Sequence, residues 1–232
     1  GQGSASGPLG RGRDDARGCR GGADGHTGDS PAVTDFAIEF LGGVPDVNFL
    51  KGREGNPVSM LVDHWIGAGT LDSAVRYFQT PRPINPTSAH FIVGTTGRIV
   101  GLVNVFDTAF HAGDFDVNLQ SVGIEHECHP TLPPSDMLYR ASGWLHRHLA
   151  EFFEISLQVG VTMLPHRKVS PTTCPGTLDL DRIWREATSM TDEEFEAKFL
   201  ELTKKHIAPT LQAMKNAYDP WAHHTHDTTE PK

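Results

Sequence analysis

The feature that most constrains the fold is a recurring order of segments, in which an apolar run of strand length is followed by a stretch with helical spacing. Residues 58–66 read as a buried strand. Residues 71–79 then carry apolar side chains at Leu71, Ala74, Val75 and Phe78, with Thr70 placed as a cap. Residues 121–127 alternate Val122 and Ile124 against Ser121, Gly123 and Glu125. The strongest helical repeat follows at residues 135–153, where Met137, Leu138, Ala141, Leu145, Leu149 and Phe152 form one stripe. Between these units lies a β-hairpin, residues 89–93 and 98–103 around a turn at Gly97. Residues 35–41 form a first strand or short helix, residues 178–188 a short helix, and Pro81, Pro83 and Pro86 enforce a loop. Strands interspersed with helices, one of them long, predict an α/β domain: a central mixed β-sheet flanked by helices.

The ends read differently. Residues 1–33 are Gly, Arg, Asp and Ser with almost no large apolar side chain, so they cannot offset their ordering entropy and are expected to be a flexible head or linker. The folded domain is expected over residues 34–190. A helical extension should occupy residues 191–218, opened by a capping box of Thr191 and Glu194, before a frayed tail at 219–232. The chain has 20 Lys+Arg against 29 Asp+Glu, a net charge of −9, which argues against nucleic acid or anionic lipid as a partner. No stretch is long and apolar enough to insert in a membrane, and no apolar signal region opens the chain. The expectation is synthesis in the cytoplasm. Three Cys do not make a disulfide framework.

Residues 166–176, His-Arg-Lys-Val-Ser-Pro-Thr-Thr-Cys-Pro-Gly, cannot be a helix interior or a central strand. A loop that presents an imidazole and a thiol together is a candidate zinc clamp, because borderline-soft zinc prefers those ligands. His64, at the end of its strand and before Gly67, Ala68 and Gly69, is a candidate third ligand. Glu125 lies in an apolar strand, where a carboxylate is costly to bury unless it is paired or functional. It is a candidate general base.

Four ordered motifs carry a resemblance. They are Val62, Asp63 and His64 before the small-residue loop; residues 88–93 with Gly97; Ala109, Phe110, His111, Ala112 and Gly113 followed by residues 121–125; and residues 166–176. Over roughly residues 58–187 the chain resembles the zinc-dependent N-acetylmuramoyl-L-alanine amidases of type 2, which include phage endolysins, bacterial amidases and animal peptidoglycan recognition proteins. The resemblance implies Zn2+ held by His64, His166 and Cys174, Glu125 acting on the catalytic water, and a peptidoglycan or muropeptide substrate. Thr172 stands where many members carry Lys and active recognition proteins carry Thr, and is expected to help hold the oxyanion. Ala89 stands where some phage members carry a catalytic Tyr, which fits the subgroup that uses the strand glutamate. His111 and Trp65 are expected to line the groove and touch substrate. Trp65 and Ile66 depart from the Thr or Ser often found after the first ligand.

Other readings stay open at this point. A non-catalytic peptidoglycan-binding module of the same fold is the main alternative, although such relatives typically lose the cysteine ligand. A zinc hydrolase of another amide is a second. A scaffold with a closed structural zinc is a third, and would need His90 or His111 as a fourth ligand. His126 and His129 read as solvated or as neighbours of the ligands. The target is either the bacterial wall, as for a bacteriolytic endolysin, or cytoplasmic muropeptides.

Overall fold

The computed structural model describes residues 36–189. The head at 1–33, the helical extension at 191–218 and the tail at 219–232 lie outside the described residues. Eight strands occur among the described residues: β1 (Ile38–Phe40), β2 (Phe49–Leu50), β3 (Met60–Trp65), β4 (Phe91–Val93), β5 (Ile99–Gly101), β6 (Thr108–Ala109), β7 (Ser121–His126) and β8 (Met163–Pro165). Four α-helices accompany them: α1 (Leu71–Phe78), α2 (Phe115–Gln120), α3 (Asp136–Phe152) and α4 (Leu180–Thr188).

The main sheet runs β1-β5-β4-β7-β3-β8, and β2 pairs with β6 alone. β4, β7, β3 and β8 are mutually parallel, while β4 and β5 form the antiparallel hairpin expected around Gly97. A mixed sheet with helices on its faces is therefore what forms. Helix starts follow local chemistry. Thr70 caps α1 by accepting from the Ser73 amide, in a reciprocal box with the Ser73 side chain. Ser135 caps α3 through the Leu138 amide.

Residue alternation divides the sheet into two faces. Leu61, Val122, Ile124, Phe91, Val93 and Ile99 pack with Leu138, Ala141, Leu145 and Leu149 of α3 and with Ile183 of α4. On the opposite face Ile92 and Val100 pack with Leu71, Ala74, Val75 and Phe78 of α1. That smaller cluster covers the β4–β5 half only. The register pairs His64 of β3 with Glu125 of β7, so both side chains leave the sheet on the α1 face, near the carboxyl ends of parallel strands. Ligands commonly bind at such strand ends in open α/β sheets.

Four elements went unread in the sequence. β8 is only three residues long and ends at Pro165, directly before the ligand loop. The six-residue α2 is too short to show a helical repeat, and the two-residue strands β2 and β6 are shorter still.

Candidate metal centre and active site

β3 ends at Trp65, so His64 stands at the mouth of the sheet, and β8 hands the chain directly to His166 in a single 3-10 turn. The loop then returns through a cis Cys174–Pro175 bond, and the Arg167 amide donates to the Cys174 carbonyl at 2.8 Å. One ligand atom each from His64, His166 and Cys174 lies within 4.8 Å of the others. Cys174 Sγ is 3.7 Å from His64 Nδ1, against about 3.6 Å for an N–S edge of a tetrahedral zinc site built on ordinary bond lengths. The His64 and His166 rings lie 4.4 Å apart, centroid to centroid. His166 Nε2 donates to the Ala112 carbonyl at 3.1 Å, which leaves its Nδ1 free.

The electrostatics suit a cation. Burial holds His64 neutral, well below its ordinary value, and the neighbouring His111, His166 and His126 act in the same direction. A neutral imidazole offers a lone pair. Burial pushes the Cys174 thiol up to about 12, opposed by the Trp65 amide, which donates to Sγ at 3.4 Å, and reinforced by Glu125. A cysteine nucleophile needs a depressed pKa. This thiol has the opposite bias, which speaks against a free nucleophile; a bound cation would be needed to draw it into the thiolate form that ligates metals. The two imidazoles and the sulfur are a donor set that zinc prefers. Among the described residues no other group of three metal-binding side chains converges.

Glu125 is the acidic group of the site. Burial raises its carboxyl to about 8, and Oε2 is buried with no hydrogen-bond partner. Thr172 is exposed at the rim, where its hydroxyl accepts from the Cys174 amide at 3.2 Å and keeps its own proton to donate.

Three further histidines are placed by the structure. His111 lies beside a candidate ligand. It is buried against β7, with Nδ1 3.1 Å from His64 Nε2 and Nε2 3.2 Å from Ser121 Oγ. Gly123 makes room for it, because a Cβ there would sit 2.4 Å from His111 Cγ. Of the two readings of His126, solvated or a neighbour of the ligands, the second holds: the ring is fully buried, and its Nδ1 donates to the His64 carbonyl at 2.8 Å. Alternation with Val122 and Ile124 was the signal that could have found it. His90 is also fully buried, and its Nδ1 accepts from the Gly123 amide at 2.9 Å while Nε2 lies 3.2 Å from the Asp107 carbonyl. With both nitrogens engaged, neither His90 nor His111 is free to close a four-ligand site.

Trp65 follows the same alternation and leaves β3 on the face opposite His64. Its indole packs on the α3-side core and against Gly176, where a Cβ would be 2.2 Å from the ring. What it gives the site is its backbone amide. Sequence reading also missed a buried ion pair beneath the ligand strand, His146 Nε2 to Asp63 Oδ1 at 3.0 Å. Burial works against charge on His146, but the Asp63 carboxylate and the Ser142 carbonyl outweigh it and raise its pKa.

Comparison with known proteins bears on the family and the fold. The sequence profile of the N-acetylmuramoyl-L-alanine amidases matches residues 54–177. A comparison with curated protein sequences finds no match. Among solved structures, a mutant endolysin from Bacillus subtilis is 22% identical with a TM-score of 0.54, covering 66% of this chain and 99% of that one. A selenomethionine derivative of AmpD is 23% identical with a TM-score of 0.52, covering 66% of this chain and 95% of that one. PlyL is 15% identical with a TM-score of 0.55, covering 68% of this chain and all of that one. These likenesses establish the fold. The profile spans more than half of the 232 residues and includes both histidines, Glu125 and Cys174. The chain thus belongs to the N-acetylmuramoyl-L-alanine amidase family, hydrolases of the amide that joins N-acetylmuramic acid to L-alanine in peptidoglycan.

Proposed function

We propose that this chain cleaves the muramoyl–alanine amide as a zinc enzyme, with the ion held by His64, His166 and Cys174 and with Glu125 as the proton-handling residue. The observation that carries the reading is the pairing of His64 with Glu125 across β3 and β7. It sets an unpartnered, buried carboxylate oxygen on the same face as the converging ligands. A zinc ion bound there acidifies a water molecule and polarises the amide carbonyl.

The chain's own residues supply the rest. Glu125 accepts a proton from the attacking water as the new C–O bond forms, and delivers it to the alanine nitrogen as the C–N bond breaks. A carboxyl raised by burial suits both halves of that transfer near neutral pH. The Thr172 hydroxyl donates to the oxygen on which negative charge develops. The Trp65 amide and the Thr172–Cys174 turn hold the sulfur in place.

The test is the appearance of new N-terminal L-alanine amines on stem peptides (alanine release) in purified peptidoglycan and, beside it, in soluble muropeptides. Alanine release without new reducing sugar ends supports the reading. Wall binding with no alanine released from either substrate identifies the non-catalytic module instead.

A further inference from the structure

His111 is buried, touches a candidate ligand and is not used in the reaction just described. For a singly protonated ring, its hydrogen bonds have one consistent polarity. The Val117 carbonyl can only accept, and Ser121 Oγ lies 2.6 Å from it, so the single hydroxyl proton of Ser121 is committed there. Towards His111 Nε2, at 3.2 Å, Ser121 can then only accept, and Nε2 carries the proton. The neutral ring presents a lone pair at Nδ1, which accepts from His64 Nε2 at 3.1 Å. His64 is thereby the Nε2–H tautomer, with the Nδ1 lone pair turned towards Cys174 Sγ.

The same segment sets the second imidazole. The Ala112 carbonyl accepts from His166 Nε2, so His166 also presents Nδ1. The segment is itself held in place, since the amides of His111 and Ala112 both donate to the buried Asn118 Oδ1, at 3.0 and 2.8 Å. Gly123 supplies the space in which the His111 ring sits.

We propose that His111 is a positioning residue, which through the chain Val117 carbonyl–Ser121–His111 fixes the tautomer and ring orientation of His64, so that residues 111 and 112 together aim two Nδ1 lone pairs at one divalent cation. The inference rests on the zinc reading of the site and deepens it. Partners that orient a metal-bound histidine are typically worth ~10–100-fold in affinity. A histidine that only filled space could be exchanged for another ring.

The experiment uses the full chain with His111→Phe, His111→Asn and Ser121→Ala. Asn can return an acceptor to the place of Nδ1, whereas Phe cannot. Zinc affinity is measured by competition with a chromophoric chelator, and the His64 tautomer by long-range nitrogen–proton NMR of the metal-free protein. Expected are a single Nε2–H tautomer for His64 in the wild type, a loss of about 10–100-fold in zinc affinity in His111→Phe with a mixed tautomer, and retention within a few-fold in His111→Asn. Ser121→Ala, the smallest change, should release the tautomer of His111 and weaken zinc by a lesser factor. Equal zinc affinity in His111→Phe and wild type overturns the proposal, as does equal loss in the Phe and Asn variants. A wild-type protein that takes up no zinc overturns the metal reading itself. Wild-type His64 found as the Nδ1–H tautomer overturns this inference alone.

Discussion

Replacing Glu125 with Gln should stabilise the metal-free protein while removing its proton acceptor. Burial lifts the carboxyl from 4.5 to about 8, so the folded chain holds this proton more tightly than the unfolded chain does. The sign follows. The stabilisation is complete below about pH 4.5 and is lost as pH rises through about 8, above which the fold must carry an ionised carboxylate in an apolar setting. A gap of about 3.5 pH units at ~1.4 kcal/mol per unit sets a ceiling of about 5 kcal/mol. Glu125 is not wholly screened from solvent, so about 2–3 kcal/mol is the working expectation. The assay is urea unfolding of metal-free wild type and Glu125→Gln between about pH 4 and pH 9, read as the difference between the two so that titrations common to both cancel. The variant should gain about 2–3 kcal/mol on the wild type over that range, and should lose about 10²–10⁴-fold in kcat with its zinc retained. A stability difference that stays constant with pH would refute the burial argument.

Three further outcomes are expected. His166→Ala should lose zinc and alanine release together, and full zinc occupancy in that variant removes His166 from the ligand set. His146→Leu leaves Asp63 buried opposite no cation and should cost about 3–5 kcal/mol in urea unfolding, whereas a cost under about 1 kcal/mol contradicts the buried ion pair. Thr172→Val should keep its zinc and lose about 10-fold in kcat, less than the ~10²–10³ of a fully buried oxyanion donor because Thr172 is exposed; an unchanged kcat removes it from the mechanism.

What was legible in the sequence was whatever a local period encodes. α1, α3, the hairpin around Gly97 and the strand that carries His64 follow from apolar spacing and capping residues, and the ligand loop from its Pro, Thr and Gly content. Much of the site was not local. His111, in a loop, is placed by an absent side chain, that of Gly123 on β7. The pairing of His64 with Glu125 depends on a parallel register that no single segment contains. The sequence did carry a signal for Trp65, Asp63 and His126, which alternate with Leu61, Val122 and Ile124 and so belong to the core face. β8 escaped because three residues closed by Pro165 carry too little pattern to read as a strand.

The central claim is that one dication, gripped by His64, His166 and Cys174, is required for hydrolysis. Its most direct test is the zinc dependence of alanine release from purified peptidoglycan, with metal content measured on the same sample. The account predicts about one zinc per chain, activity abolished by a strong chelator, and recovery on adding about one equivalent of zinc back. Undiminished alanine release from protein shown to be metal-free would contradict it.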